Sequence, residues 1–174
     1  MTLTQLKKQI RAGQVDTVIV AFPDLFGRLA GKRFCADHFL DSVVRHGTHA
    51  CSYLLTVNLD MDPLDGFKVA NWETGFGDFK LAPDLDTIRL LPWQPATALV
   101  LCDYVRHDDS PVAEAPRSVL RRQVELLGQR GWSCACASEL EFYLFNQTYE
   151  SLAATDYREL RPSSDYRIDY LIAQ

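Results

Sequence analysis

Two glutamates, Glu139 and Glu141, stand two positions apart in the run "ASELEFYLF", residues 137–145, which is otherwise mostly apolar and aromatic. An uncompensated carboxylate is costly in such surroundings, so the pair calls for a reason. The longer stretch "WSCACASELEFYLF" reads as a β-strand. Alternate strand residues share a face, which sets Glu139, Glu141, Tyr143 and Phe145 on one side and Leu140, Phe142 and Leu144 on the other. At the usual strand rise the two carboxylates lie about 6 to 7 Å apart, close enough for like charges to repel. Two readings follow. Either the face is wet and tolerates both acids, or the acids are ligands of a divalent cation. Hard oxygen donors on a rigid strand suit Mg2+ or Mn2+, with the other ligands drawn from elsewhere and from phosphate oxygens.

The remaining residue types that do chemistry are less concentrated. From Asn58 to Asp78, "NLDMDPLDGFKVANWETGFGD", apolar periodicity vanishes and Asp, Gly and Asn accumulate. A loop of that length inside a compact domain tends to be functional or disordered. Gly75-Phe76-Gly77 has no helix pattern after it and so fails the context test for a dinucleotide site; its glycines read as turn formers. Arg28, Lys32 and Arg33 read as solvent-facing, and His46 and His49 as loop histidines without a role. Five cysteines at irregular spacing, with Cys134 and Cys136 too close for the usual zinc knuckle, read as reduced small hydrophobes.

The elements that must position these groups are legible from periodicity. "MTLTQLKKQIRAGQ" reads as an amphipathic helix that Gly13 ends, and "VDTVIVAF" as a strand. The turn Pro23–Gly27 joins it to "RLAGKRF" as a hairpin. "ADHFLDSVVRHG" carries Phe39, Leu40, Val43 and Val44 on one helical face, and "CSYLLTV", "DTIRLLPW" and "TALVLCDYV" read as strands, the last buried on both faces. The expected class is α+β: a sheet with a packed helix over residues 1–106, a linker over 107–117, and a second region over 118–174 that opens with a helix bearing Val119, Leu120, Val124 and Leu127. With about half its 174 residues hydrophobic, about a quarter charged and a formal charge of -5, the chain offers no basic face to nucleic acid. No apolar run reaches the roughly 18 residues of a membrane span, and a cytoplasmic location is expected.

The ordered motifs resemble those of the glutamine synthetase family. "VDTVIVAFPDLFGRLAGKRF" is similar to the family's opening hairpin, and "GFGDFKLAPDLDTIRLLPW" to its Gly-Asp, Pro-Asp, Thr and Pro-Trp signature. "APRSVLRRQVELLGQRGW" followed by "SELEFYLF" resembles the helix and first strand of the family's catalytic domain. The resemblance implies an amino-terminal β-grasp-like domain and an ATP-dependent ligase that joins glutamate to ammonia or a larger amine, polyamines included, through γ-glutamyl phosphate. It also implies a homo-oligomeric ring with active sites between neighbouring subunits. Glu139 corresponds to a ligand of the metal beside the ATP phosphates and Glu141 to a ligand of the metal on the glutamate side. Asp65, in an Asp-Gly step, corresponds to the loop acid that binds and deprotonates ammonium in the neighbouring subunit, with Asp62 or a simple turn as the alternatives. Phe67 and Lys68 depart from the family's small hydroxyl pair.

The family's other metal ligands, phosphate-holding arginines and most of its nucleotide site follow the point at which this sequence stops. "RPSSDYRIDYLIAQ" resembles the segment after the first catalytic strand, and a barrel begun with one helix and one strand cannot close. The isolated chain is therefore expected to be inactive. The reading of another class is a short, non-catalytic paralogue that binds and modulates a full-length ligase.

Overall fold

The computed structural model describes residues 1–73 and 75–166, so the part of "RPSSDYRIDYLIAQ" after Tyr166 lies outside the described residues. The chain divides into two compact units, with the boundary between Cys134 and Ala135.

The first unit is built on a five-stranded sheet of mixed direction. Helix α1 (Leu3–Arg11) begins with a reciprocal cap: the Thr2 hydroxyl accepts from the Gln5 N–H, and the Gln5 side chain accepts from the Thr2 N–H. Strand β1 (Thr17–Pro23) pairs antiparallel with β2 (Leu29–Cys35), from Thr17 opposite Cys35 to Pro23 opposite Leu29. Gly27, at φ 79°, supplies the left-handed residue that the connecting turn needs. Gly31 meets another constraint, because a Cβ there would fall onto the carbonyl oxygen of Val20. A helix follows directly, running through Ala36–His38, a wider π-turn at Phe39–Val43, and Val44–His46; it is called α2 below.

Strand β3 (Thr48–Cys51) is short, and Ser52–Leu55 turns into a 3-10 helix. The strand expected over "CSYLLTV" is thus displaced towards the amino terminus: only Cys51 belongs to it, and Ser52 and Leu55 are buried by the helical turn instead. Strand β4 (Asp78–Leu90) begins eight residues before the expected "DTIRLLPW" and carries Pro83 inside it. Pro83 is tolerated because β3 pairs with β4 only as far as Leu81, leaving that edge open beyond it. The register shifts between Asp84 and Arg89. Strand β5 (Thr97–Val105) lies in the middle, antiparallel to β4 and parallel to β1, in the order β2-β1-β5-β4-β3.

One face of the sheet holds the main core. Val18, Val20 and Phe22 of β1, Leu81 and Ile88 of β4, and Val100, Cys102 and Tyr104 of β5 pack with Leu6 of α1 and Phe39 and Val43 of α2. The alternation is what strand geometry dictates, and Phe39 and Val43, at the two ends of the π-turn, supply the helical side. Burial pushes the Cys102 thiol up to about 12, in keeping with its expected use as a small hydrophobe. The opposite face carries a smaller cluster of Ala21, Leu91 and Leu99. Between β5 and the next helix the chain returns to the sheet: the Val112 N–H donates to the Tyr104 carbonyl at 3.1 Å, and Val112 and Ala115 join the main core.

Helix α3 (Pro116–Gln129) opens with proline in its first turn. None of its residues is buried, and Val119, Leu120, Val124 and Leu126 are exposed. In the second unit, helix α4 (Tyr149–Ala153) is capped by the Thr148 hydroxyl and buries Leu152. Phe145 bridges Pro162, and the Gln147 side chain bonds the backbone of Glu159 and Arg161.

Candidate functional site

Three sets of charged residues bear on chemistry, and the structure treats each differently. The first is the hairpin turn. Asp24 is buried, its Oδ1 accepting the N–H groups of Phe26 and Arg28 at 2.9 Å each. Its Oδ2 pairs with the Arg28 Nε at 2.6 Å. Burial pushes the carboxyl upward, and the bonds from Arg28 and Phe26 outweigh it, holding Asp24 below the usual carboxylate range. Arg28 is therefore not simply solvent-facing, as its place beside a turn suggested. The missed signal was the Asp-x-x-x-Arg spacing across the turn, which lets one carboxylate close both backbone and side-chain contacts.

The second set is the loop between β3 and β4. Asn58 organises its first part: its Oδ1 accepts from the N–H groups of Asp60 and Asp62 at 2.9 Å, and its Nδ2 donates to the Asp62 carboxylate at 3.2 Å. Val57 bridges Pro63, and the Leu64 N–H donates to the carbonyl of Thr56, a fully buried residue, at 2.7 Å. The two candidate acids differ in their contacts. Asp62 is engaged in holding the loop, whereas Asp65 stands exposed one residue past an anchored position. Gly66, at φ 91°, follows it.

The third set is Glu139 and Glu141. Both are exposed, in a segment, residues 133–144, that forms neither helix nor strand. The expected strand is thus not formed here, and the physical reason is specific. A strand is held by ladder hydrogen bonds to a neighbour, and the first bridge in this stretch is at Phe145. Without the ladder, the shared face and spacing inferred for the two carboxylates have no structural counterpart. Leu140, Phe142 and Leu144 are exposed as well, by 87%, 76% and 65%, so the side that should be buried has no cover. The donors are hard oxygens of the right kind for Mg2+ or Mn2+, but they are two. No group of three or more His, Cys, Asp or Glu is gathered as a metal would need among the described residues. The residues present therefore do not make up a metal site by themselves.

A fourth arrangement escaped the sequence reading. Arg117, in the first turn of α3, donates through Nε to Asp103 of β5 at 2.7 Å and through Nη2 to Asp84 of β4. Arg121, one helical turn on, reaches the other oxygen of Asp103 at 2.7 Å. Burial pushes Asp103 upward, but the two guanidinium groups outweigh it and hold the carboxyl low. The network fixes the start of α3 on the sheet. The partners of the two arginines lie 14 to 33 residues away, so no local pattern announces the network.

Comparison with known proteins gives these features a setting. The family described as the glutamine synthetase catalytic domain matches residues 113–169, which span α3, both glutamates and α4. Gamma-glutamylethanolamide synthetase GlnA4 of Streptomyces coelicolor is 46% identical over 168 residues, covering 97% of this chain and 36% of its own length. Glutamate–isopropylamine ligase of a Pseudomonas species is 33% identical over 160 residues, or 92% of this chain and 35% of its own. The chain thus spans about a third of the length of these relatives. A structure of apo GmaS without ligand superposes with a TM-score of 0.55 over 74% of this chain and 27% of its own, at 23% identity, which speaks to the fold. No helix among the described residues is long and apolar enough to cross a membrane. In similarity along nearly its whole length and in its α+β fold, the chain resembles the glutamine synthetase family over about a third of those relatives' length.

Proposed function

We propose that this chain forms the amino-terminal part of an ATP-dependent glutamate–amine ligase. The observation that carries the reading is the 46% identity over 168 residues to a γ-glutamylethanolamide synthetase. In this reading residues 1–106 are the β-grasp-like domain, 107–117 the connection, and 118–174 the start of the catalytic domain. The exposed apolar residues of α3 and the exposed Leu140, Phe142 and Leu144 support that division, because each group lacks an apolar neighbour that a catalytic barrel would supply.

The reaction follows from the substrates' chemistry. An oxygen of the glutamate side-chain carboxylate attacks the γ-phosphorus of ATP and ADP leaves, which gives γ-glutamyl phosphate. The amine nitrogen then forms the amide bond to the acyl carbon, phosphate leaves with its electron pair, and the amine proton passes to a base. Asp65 is the candidate for that base: an exposed carboxylate on an anchored loop, free to reach a neighbouring subunit of a homo-oligomeric ring. Glu139 and Glu141 would hold Mg2+ or Mn2+ together with ligands from the rest of the ligase, and such ions neutralise charge on transferring phosphoryl oxygens. The amine is ammonia or a larger amine, and the relatives named for ethanolamide and isopropylamine favour a larger one. A cytoplasmic setting belongs to the same reading.

The test is to purify the native gene product from its source, take its intact mass, and assay ATP- and glutamate-dependent amide formation with ammonia, ethanolamine, isopropylamine and a polyamine. A γ-glutamyl amide, with one phosphate released per amide, supports the proposal. A 19.7 kDa product that forms no amide but co-purifies with a larger ligase replaces it with a modulating role.

A further inference from the structure

The Asp24–Arg28 pair reaches beyond its own hairpin. With Nε committed to Asp24, the other two guanidinium nitrogens of Arg28 point across to the loop after β3. Nη1 donates to the carbonyl of Leu59 at 2.7 Å, and Nη2 to the carbonyl of Asn58 at 3.3 Å, with the Met61 sulfur at 3.6 Å. One buried carboxylate therefore aims a planar fork at a segment 30 residues away.

A cleft of about 210 Å³ lies beside that segment, lined by Asp24, Arg28, Leu29, Leu54, Val57 and Met61 among others. Apolar packing does not fill it, so polar bonds set the distance between loop and hairpin. Met61 is held at φ 69°, a conformation uncommon for a residue with a side chain. It persists where neighbouring contacts determine it: the Met61 N–H donates to the Asn58 carbonyl, and Arg28 contacts the Asn58 and Leu59 carbonyls and the Met61 sulfur.

We propose that Arg28 is a positioning residue: through the Asn58 and Leu59 carbonyls it sets the reach of the 57–66 loop, and so the placement of Asp65 toward the amine. The assignment rests on the reading of Asp65 as the loop acid. Lys32 and Arg33, also on this hairpin, carry no bond to the loop among the described residues, so the role falls to Arg28.

Two measurements separate this inference from the reading beneath it. Amide hydrogen exchange on this chain reports the latch alone. In Arg28→Ala, exchange over residues 58–66 should rise about tenfold or more, as expected for loss of hydrogen bonds made by a charged donor, while β1 and β5 keep their protection. Arg28→Lys should fall between, since an ammonium has no fork to hold Asp24 and two carbonyls together. Exchange over 58–66 within twofold of the parent in Arg28→Ala overturns the latch. Steady-state kinetics on the native ligase then tests the consequence. Arg28→Ala should raise the amine KM about tenfold with the glutamate and ATP KM values unchanged, and Arg28→Lys should recover part of the loss. If exchange rises but the amine KM does not, while Asp65→Asn still raises it, the positioning role is overturned and the loop-acid reading survives. If Asp65→Asn leaves the amine KM unchanged, the loop-acid reading falls and takes the positioning role with it.

Discussion

Arg117→Ala is the substitution whose effect follows most directly from the geometry. Helix α3 buries none of its residues, so the usual source of helix docking, an apolar face removed from water, contributes little. The charges of its first turn must do the work. The side chains of Arg117, Asp84 and Asp103 are 23%, 25% and 15% exposed, between a surface pair and a buried one. Exposed pairs contribute about 0 to 1 kcal/mol, and removing one partner of a buried pair costs about 3 to 5 kcal/mol. A loss of about 2 kcal/mol is expected, because Asp103 keeps Arg121 while Asp84 loses its guanidinium and keeps only the Asp86 N–H among the described residues. At a denaturant slope of about 2 kcal/mol per M, the urea midpoint falls by about 1 M. Arg121→Ala is the internal comparison: its side chain is 47% exposed and makes one bond to Asp103, so its cost stays below about 1 kcal/mol. Urea unfolding followed by circular dichroism on both variants decides the matter. Equal midpoints for the two, or an Arg117→Ala loss under about 0.5 kcal/mol with an unchanged slope, would refute the claim that this network fixes α3.

Other consequences are equally specific. Asp24 and Asp103 both have depressed carboxyl groups. Their contribution to stability is complete above the unfolded value near 3.8 and is lost as the pH falls through their lower folded values; a pH series of thermal midpoints should show Asp24→Asn and Asp103→Asn flattening that acid limb. Gly31→Ala should destabilise by about 2 kcal/mol or more by forcing β2 away from β1, read as a drop in midpoint that Lys32→Ala does not share. In the native ligase, Glu139→Ala and Glu141→Ala should each shift a Mg2+ or Mn2+ titration of turnover to higher metal while leaving the thermal midpoint within about 1 °C, as surface changes do. Unchanged titrations in both variants would remove the metal assignment.

What could be read from the sequence followed the strength of local signals. The β1–β2 hairpin, α2 and β5 were legible because their patterns are dense: alternation over "VDTVIVAF", helical spacing of Phe39 and Val43, and an apolar run at "TALVLCDYV". β4 was underestimated because Pro83 and the acids around it argue against a strand, and only the end of β3 at Leu81 makes proline acceptable there. "CSYLLTV" misled for the converse reason, since short apolar runs fit strand and helix alike. The failed strand at 137–145 shows that local preference is insufficient where pairing is absent. The bonds of Arg28 to Leu59 and of Arg117 to Asp84 were out of reach because those partners lie 31 and 33 residues away, and no local pattern announces such a bond. In the loop, the sequence favours Asp65 over Asp62 or a simple turn by little; the structure adds that Asp62 bonds Asn58, a contact no local pattern announces.

The most direct test of the ligase reading follows oxygen. Glutamate labelled with 18O in its side-chain carboxylate, ATP and the amine panel are incubated with the native gene product, and the released phosphate is analysed by mass spectrometry. Transfer through γ-glutamyl phosphate predicts one labelled oxygen in phosphate for each amide formed. Unlabelled phosphate, or no γ-glutamyl amide from any amine of the panel, would contradict the account.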